Sequence, residues 1–241
     1  MAVPAPQVFM ALGCVGPLAA AAPPDLGWLS DPEAGRLAAM SAPSRRAQFI
    51  GARWLLRRVL AIAYGGDPAT DWPLSAADDA PPKPLQTPSG PPLHLSLSHS
   101  VDHVCCAAST VSVGVDIETL HRPRNWLGLA DLVCTPGEAR RVQAATEADR
   151  AAAFYAMWTL KEAWIKCHGA ALSPALLARL ETEPLRSDAV PETANARLWR
   201  DPAFVMALVA PVDAEVVWTD AVLQPVVSAA PWRIQERPPQ A

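Results

Sequence analysis

Residues 150–169 read RAAAFYAMWTLKEAWIKCHG, a run of good helix formers without Pro that is stopped by Gly169. A helix here must bury Trp158, Trp164 and Ile165, yet it keeps Lys161, Glu162 and Lys166 within two turns. Trp158, Glu162 and Lys166 recur at intervals of four and so share one face. That order of glutamate and lysine also suits a plain surface pair contributing ~0.3–0.5 kcal/mol. Lys161 lies about a quarter turn away and reads as solvent-facing.

Other elements are legible around this helix. QVFMALGCV reads as a first strand; no Lys or Arg precedes its apolar run, as a secretion leader would require. SRRAQFIGARWLLRRVLAIAYG reads as a helix capped by Ser44 and ended by Gly65 and Gly66. A Pro- and Asp-rich loop follows, then LHLSLSHSVDHVCCAAS, where Leu93, Leu95 and Leu97 alternate with polar residues. VSVGVDIETL reads as a strand able to pair with that segment as a hairpin. Thr135, Pro136 and Glu138 form the start of another helix with a capping box. Beyond residue 170, Pro breaks alternate with short β-like runs and carry no interpretable motif. Helices and strands in mixed order predict an α+β fold.

Three places hold chemistry-bearing side chains. Alternation along VGVDIE puts Val113, Val115 and Ile117 on one face and Asp116 and Glu118 on the other, roughly 6–7 Å apart at Cα. The two carboxylates either share a cation or line a solvated edge strand. Ser98, His99 and Ser100 suit phosphate-oxygen contacts or a hairpin turn. Glu162 and Lys166 add an acid and an ammonium. Taken together, the set suits a divalent ion with a diphosphate, since Mg²⁺ favours carboxylate and phosphate oxygens.

Composition narrows the class. The net charge of −4 argues against nucleic acid as main partner. Five cysteines without a C-x-x-C pair fit a reducing cytoplasm, and no apolar run spans a bilayer. Lysine is rare: Lys83, Lys161 and Lys166 are the complete set.

In this order the segments resemble the 4′-phosphopantetheinyl transferases of the longer, Sfp-like class. Gly114-Val115-Asp116-Ile117-Glu118 meets one family signature, and Trp158-Thr159-Leu160-Lys161-Glu162-Ala163-Trp164-Ile165-Lys166 meets the second without mismatch. LSLSHS resembles the family's S-H-S element and Lys83-Pro84 its G-K-P element, with Pro82 in place of the glycine. The arginine-rich helix also has a family counterpart. The resemblance covers about residues 45–170.

The resemblance implies a pseudo-dimer of two similar α+β halves, residues 1–112 and 113–241, with the active site between them. It implies an Mg²⁺-dependent, monomeric enzyme that transfers the phosphopantetheine arm of coenzyme A to a serine of an apo acyl or peptidyl carrier protein. Asp116, Glu118 and Glu162 then fall on metal positions, with Asp116, Glu162 and Lys166 catalytic. Glu162 is the candidate base, and Lys166 contacts phosphate. Ser98, His99 and Lys83 fall on coenzyme A positions. Arg46 and Arg53, which share a face with Phe49 and Arg57, would grip the nucleotide's phosphates. Arg57 is as compatible with a solvated stripe. Arg122, Arg124, Arg140 and Arg141 would form a basic rim for an acidic carrier. A non-catalytic coenzyme A-binding module and an Mg²⁺-dependent phosphohydrolase are the competing readings.

Overall fold

A computed structural model describes residues 5–77, 80–86, 90–120, 124–185, 194–220 and 229–238. The first elements are β1 (Gln7–Cys14), α1 (Val15–Ala21), α2 (Asp31–Ala38), α3 (Pro43–Tyr64), β2 (His94–Ser100), β3 (His103–Ser109) and β4 (Gly114–Thr119). There follow α4 (Trp126–Val133), α5 (Pro136–Ala144), α6 (Arg150–His168), α7 (Pro174–Arg179) and β5 (Leu180–Pro184). The last are β6 (Ala196–Arg200), β7 (Phe204–Val209), β8 (Glu215–Asp220) and β9 (Ala230–Glu236). The fold is mixed α and β, as expected. No helix among the described residues is long and apolar enough to cross a membrane.

Contacts divide the chain into two compact units. The first comprises Met1–Val113 with Asp213–Gln224. Its sheet runs β2-β3-β1-β8, antiparallel except for the parallel β1–β8 pair. A division at residue 112 would have left all of 113–241 together, whereas β8 belongs to the first sheet. Helix α3 buries Leu55, Leu56, Val59 and Leu60 against this sheet, beside Leu95, Val104 and Cys106. Pro43, rather than Ser44, opens α3: a fixed φ and a missing N–H fit the first helical position, and no side chain caps it.

The second unit comprises Gly114–Val212 with Pro225–Ala241. Its antiparallel sheet runs β4-β7-β6-β9-β5 and is covered by α6. The hairpin expected between VSVGVDIETL and the preceding segment does not form. LHLSLSHS and HVCCAAS pair with each other around Val101 and Asp102, and β4 pairs with β7 instead. Asp116 stands opposite Ala207, Gly114 opposite Val209 and Glu118 opposite Val205. The latter three residues of β7 or their face neighbours pack into the core beneath α6: Val205, Ala207 and Val209 join Phe154, Tyr155, Met157, Leu160 and Ala163. By alternation, then, the face of β4 bearing Asp116 and Glu118 is the one turned to α6.

Candidate active site

The acidic strand lies under the charged helix because of one glycine. A Cβ built on Gly114 would come within 1.9 Å of the Ala163 carbonyl oxygen and 2.6 Å of the Cys167 nitrogen. Only a residue without a side chain permits this approach of helix to strand backbone. Two residues on, the Lys166 ammonium donates to Asp116 Oδ1 at 2.6 Å and lies 3.8 Å from Glu162 Oε2. Asp116 is 3% exposed, which rules out the solvated edge for that carboxylate. Glu118 and Glu162 are half-buried.

Burial pushes the Glu162 carboxyl up to about 7. The charge of Asp116 adds to the rise, Lys166 offsets it, and Glu118 contributes a further increment. Two carboxylates therefore share one ammonium, with the charge of Glu118 felt at Glu162 as well. Among the described residues no three such side chains converge as a finished metal centre. In donor type and in excess negative charge, Asp116, Glu118 and Glu162 nevertheless suit an oxygen-preferring dication.

Lys161 is not solvent-facing. It is 1% exposed, and its ammonium is 2.6 Å from Glu138 Oε2. The aromatic residues of α6 form a cluster with α4: Trp158 stacks on Phe154 at 6.1 Å, and Trp126 meets Tyr155 edge-on at 5.1 Å.

In the first unit, Arg36, Met40, Arg45, Gln48, Phe49, Ala52, Arg53, Leu97 and His99 line a cavity of about 170 Å³. Of the nucleotide-gripping residues expected from sequence, Arg53 and His99 are here. Arg53 donates to the Ser75 carbonyl at 2.9 Å and lies over the Phe49 ring at 5.1 Å. Burial lowers its pKa to about 10, against the opposing pull of Glu33.

The other expected residues are placed elsewhere. Arg46 turns to the end of α2 and donates to the carbonyls of Leu37 and Met40, so its neighbour Arg45 takes the cavity wall. Arg57 is fully buried in a fork with Glu33 and stacked on Trp28; it is no solvated stripe. Ser98 is buried on the face of β2 opposite His99. Lys83 is exposed on a loop tied down by the Leu74–Pro84 bridge.

Of the basic rim, Arg124, Arg140 and Arg141 are exposed. Arg141 donates to the Thr182 carbonyl at 2.7 Å, and Arg122 lies outside the described residues. Sequence reasoning missed Arg36, Arg45 and Glu33. The Ser30-x-x-Glu33 capping box was the available signal for the last, since it marks a helix start at α2.

The profile of the 4′-phosphopantetheinyl transferase superfamily matches residues 112–204, which carry β4 and α6. The 4′-phosphopantetheinyl transferase AcpT of Salmonella typhimurium is 34% identical over 132 residues, 52% of this chain and 60% of the relative. The 4′-phosphopantetheinyl transferase of Bacillus subtilis is 34% identical over 119 residues, 49% of this chain and 50% of the relative. The 4′-phosphopantetheinyl transferase HetI of Nostoc sp. is 28% identical over 188 residues, 75% of this chain and 77% of the relative. The chain thus spans less than two thirds of the first two relatives. The Gly114–Glu118 strand and the Trp158–Lys166 helix both lie inside the segment that is similar to the 4′-phosphopantetheinyl transferase superfamily.

Proposed function

We propose that the protein transfers the 4′-phosphopantetheine arm of coenzyme A to a serine of an apo acyl or peptidyl carrier protein. The observation that carries this reading is the contact of Lys166 with Asp116 and Glu162 beneath α6. In the reaction, the serine oxygen bonds to the phosphorus bearing the pantetheine arm. The bond from that phosphorus to the bridging oxygen breaks, and adenosine 3′,5′-bisphosphate leaves with the electron pair.

Each residue of the site has a task in that step. Glu162, whose carboxyl is raised to about 7, takes the serine proton; general-base assistance of this kind is typically ~10²–10⁴-fold. Lys166 offsets charge on the phosphoryl oxygens and the leaving group. Asp116 holds Lys166 in place and contributes negative charge at the depth of the site. Asp116, Glu118 and Glu162 would hold Mg²⁺, which would supply charge neutralisation at the diphosphate. Arg36, Arg45, Arg53 and His99 form a cationic cavity suited to the phosphate groups of the nucleotide. Arg124 and Arg140 give the second unit exposed positive charge for an acidic carrier surface. The same reading makes the protein a cytoplasmic monomer, consistent with five free cysteines.

An intact-mass spectrum of an apo carrier after incubation with the protein, coenzyme A and Mg²⁺ tests this. A gain of roughly 340 Da is the arm itself. Hydrolysis of coenzyme A with no gain on the carrier would make the protein a phosphohydrolase, and binding without turnover would make it a coenzyme A-binding module.

A further inference from the structure

Lys161 is among the largest fully buried side chains described, yet it takes no part in the chemistry above. An ammonium has three hydrogens to donate. Those of Lys161 have three acceptors: Glu138 Oε2 at 2.6 Å, the Leu177 carbonyl at 2.6 Å and the Val133 carbonyl at 2.9 Å. These belong to the first turn of α5, to α7 and to the end of α4.

Glu138 is equally committed. It accepts from the Thr135 nitrogen at 2.7 Å, as the capping box of α5. Its other oxygen accepts from the Thr182 nitrogen at 2.9 Å and from the Thr182 hydroxyl at 2.7 Å, on β5. One buried pair therefore ties α6 to three helices and a strand.

A buried ion pair is a poor source of net stability, because desolvation offsets much of the attraction and an apolar pair of similar volume does as well. What it provides that an apolar pair does not is direction. Apolar side chains tolerate rotation of a helix about its axis, whereas an ammonium aimed at three fixed oxygens does not. Glu162 is the next residue along, and Lys166 lies four beyond it. On the strand side the Gly114 contact sets how closely α6 approaches, and leaves its rotation to be fixed by another element.

We infer that Lys161 is a positioning residue: its clamp to Glu138 fixes the rotation of α6, so that Glu162 and Lys166 meet Asp116. Its consequence for turnover rests on the transferase reading, but the geometric claim is independent of it.

The rarity of lysine makes the claim directly measurable. With Lys83, Lys161 and Lys166 as the complete set, protein labelled with ¹³C at lysine Cε gives three side-chain signals. Lys161→Met fills similar space and removes one signal. The signal of Lys166 is then expected to move from its carboxylate-bound position toward that of exposed Lys83. In the same variant, kcat for carrier modification falls about a hundredfold, the order expected for misplacement of reacting groups by ~1 Å. The KM for coenzyme A stays unchanged. Glu138→Gln keeps the capping hydrogen bond, since Gln serves at that position too. It is expected to move the Lys166 signal in the same direction by less, and it decides the matter if Lys161→Met does not fold.

A purely structural role predicts lower Tm with the Lys166 signal and kcat at wild-type values, and that result overturns the inference. If the wild type fails to modify any carrier while the Lys166 signal still moves in the variants, the transferase reading falls and the positioning role stands.

Discussion

Glu162 shows how much of the site could be read from residue types and where that reading stopped. Its spacing from Lys166 is ordinary for a surface pair, and spacing alone gives no burial. The fold supplies the difference: Asp116, 3% exposed, brings a second carboxylate to the same ammonium and helps raise Glu162 to about 7. Glu162→Gln keeps the shape and removes the base. It is expected to lower kcat by ~10²–10⁴-fold with Tm unchanged or raised, since it relieves like-charge crowding, as measured by steady-state transfer and thermal unfolding. In the arginine-rich helix the limit was different. A shared face was legible, but not which arginine meets an acid inside the protein. Arg57 found Glu33 and became buried, Arg46 found two carbonyls, and Arg45, one position away, took the cavity wall. Such long-range partners leave no trace in local spacing.

Helices α5 and α6 were legible to within a residue because their ends are written locally, in the Thr135 capping box and in Gly169 at φ +61°. The partner of β4 was not, because alternation states which side chains share a face and is silent about which strand lies alongside. Helix α2, equally capped, escaped notice for want of a long apolar run. The element-level claim is that Gly114 seats α6. Burial pushes the Cys167 thiol, beside that contact, up to about 11. Below that pH the thiol is neutral, so the native protein at pH 8 is expected to alkylate slowly at Cys167. Gly114→Ala forces the helix away, an overpacking that typically costs about 1–3 kcal/mol. Its Tm should fall and Cys167 should alkylate faster at pH 8, both measured beside the wild type by thermal unfolding and peptide mass mapping. Unchanged alkylation would mean that α6 tolerates the methyl group where it stands.

Across the whole chain, the two long motifs carried the functional reading, and both lie inside the segment matched by the superfamily profile. The β-rich tail carried none of it, yet it builds β5 to β9 and provides Thr182, the strand anchor of Glu138. A cationic cavity thus lies in one unit and a carboxylate–ammonium group in the other. The most direct test of the account is the intact mass of an apo carrier during a single turnover with saturating coenzyme A and magnesium. It is run with the wild type and with Asp116→Asn of confirmed native circular dichroism. The account predicts quantitative addition of the arm by the wild type and at least a hundredfold slower addition by the variant, the lower bound for losing a positioned charged group of this kind. Addition by Asp116→Asn at the wild-type rate would contradict it.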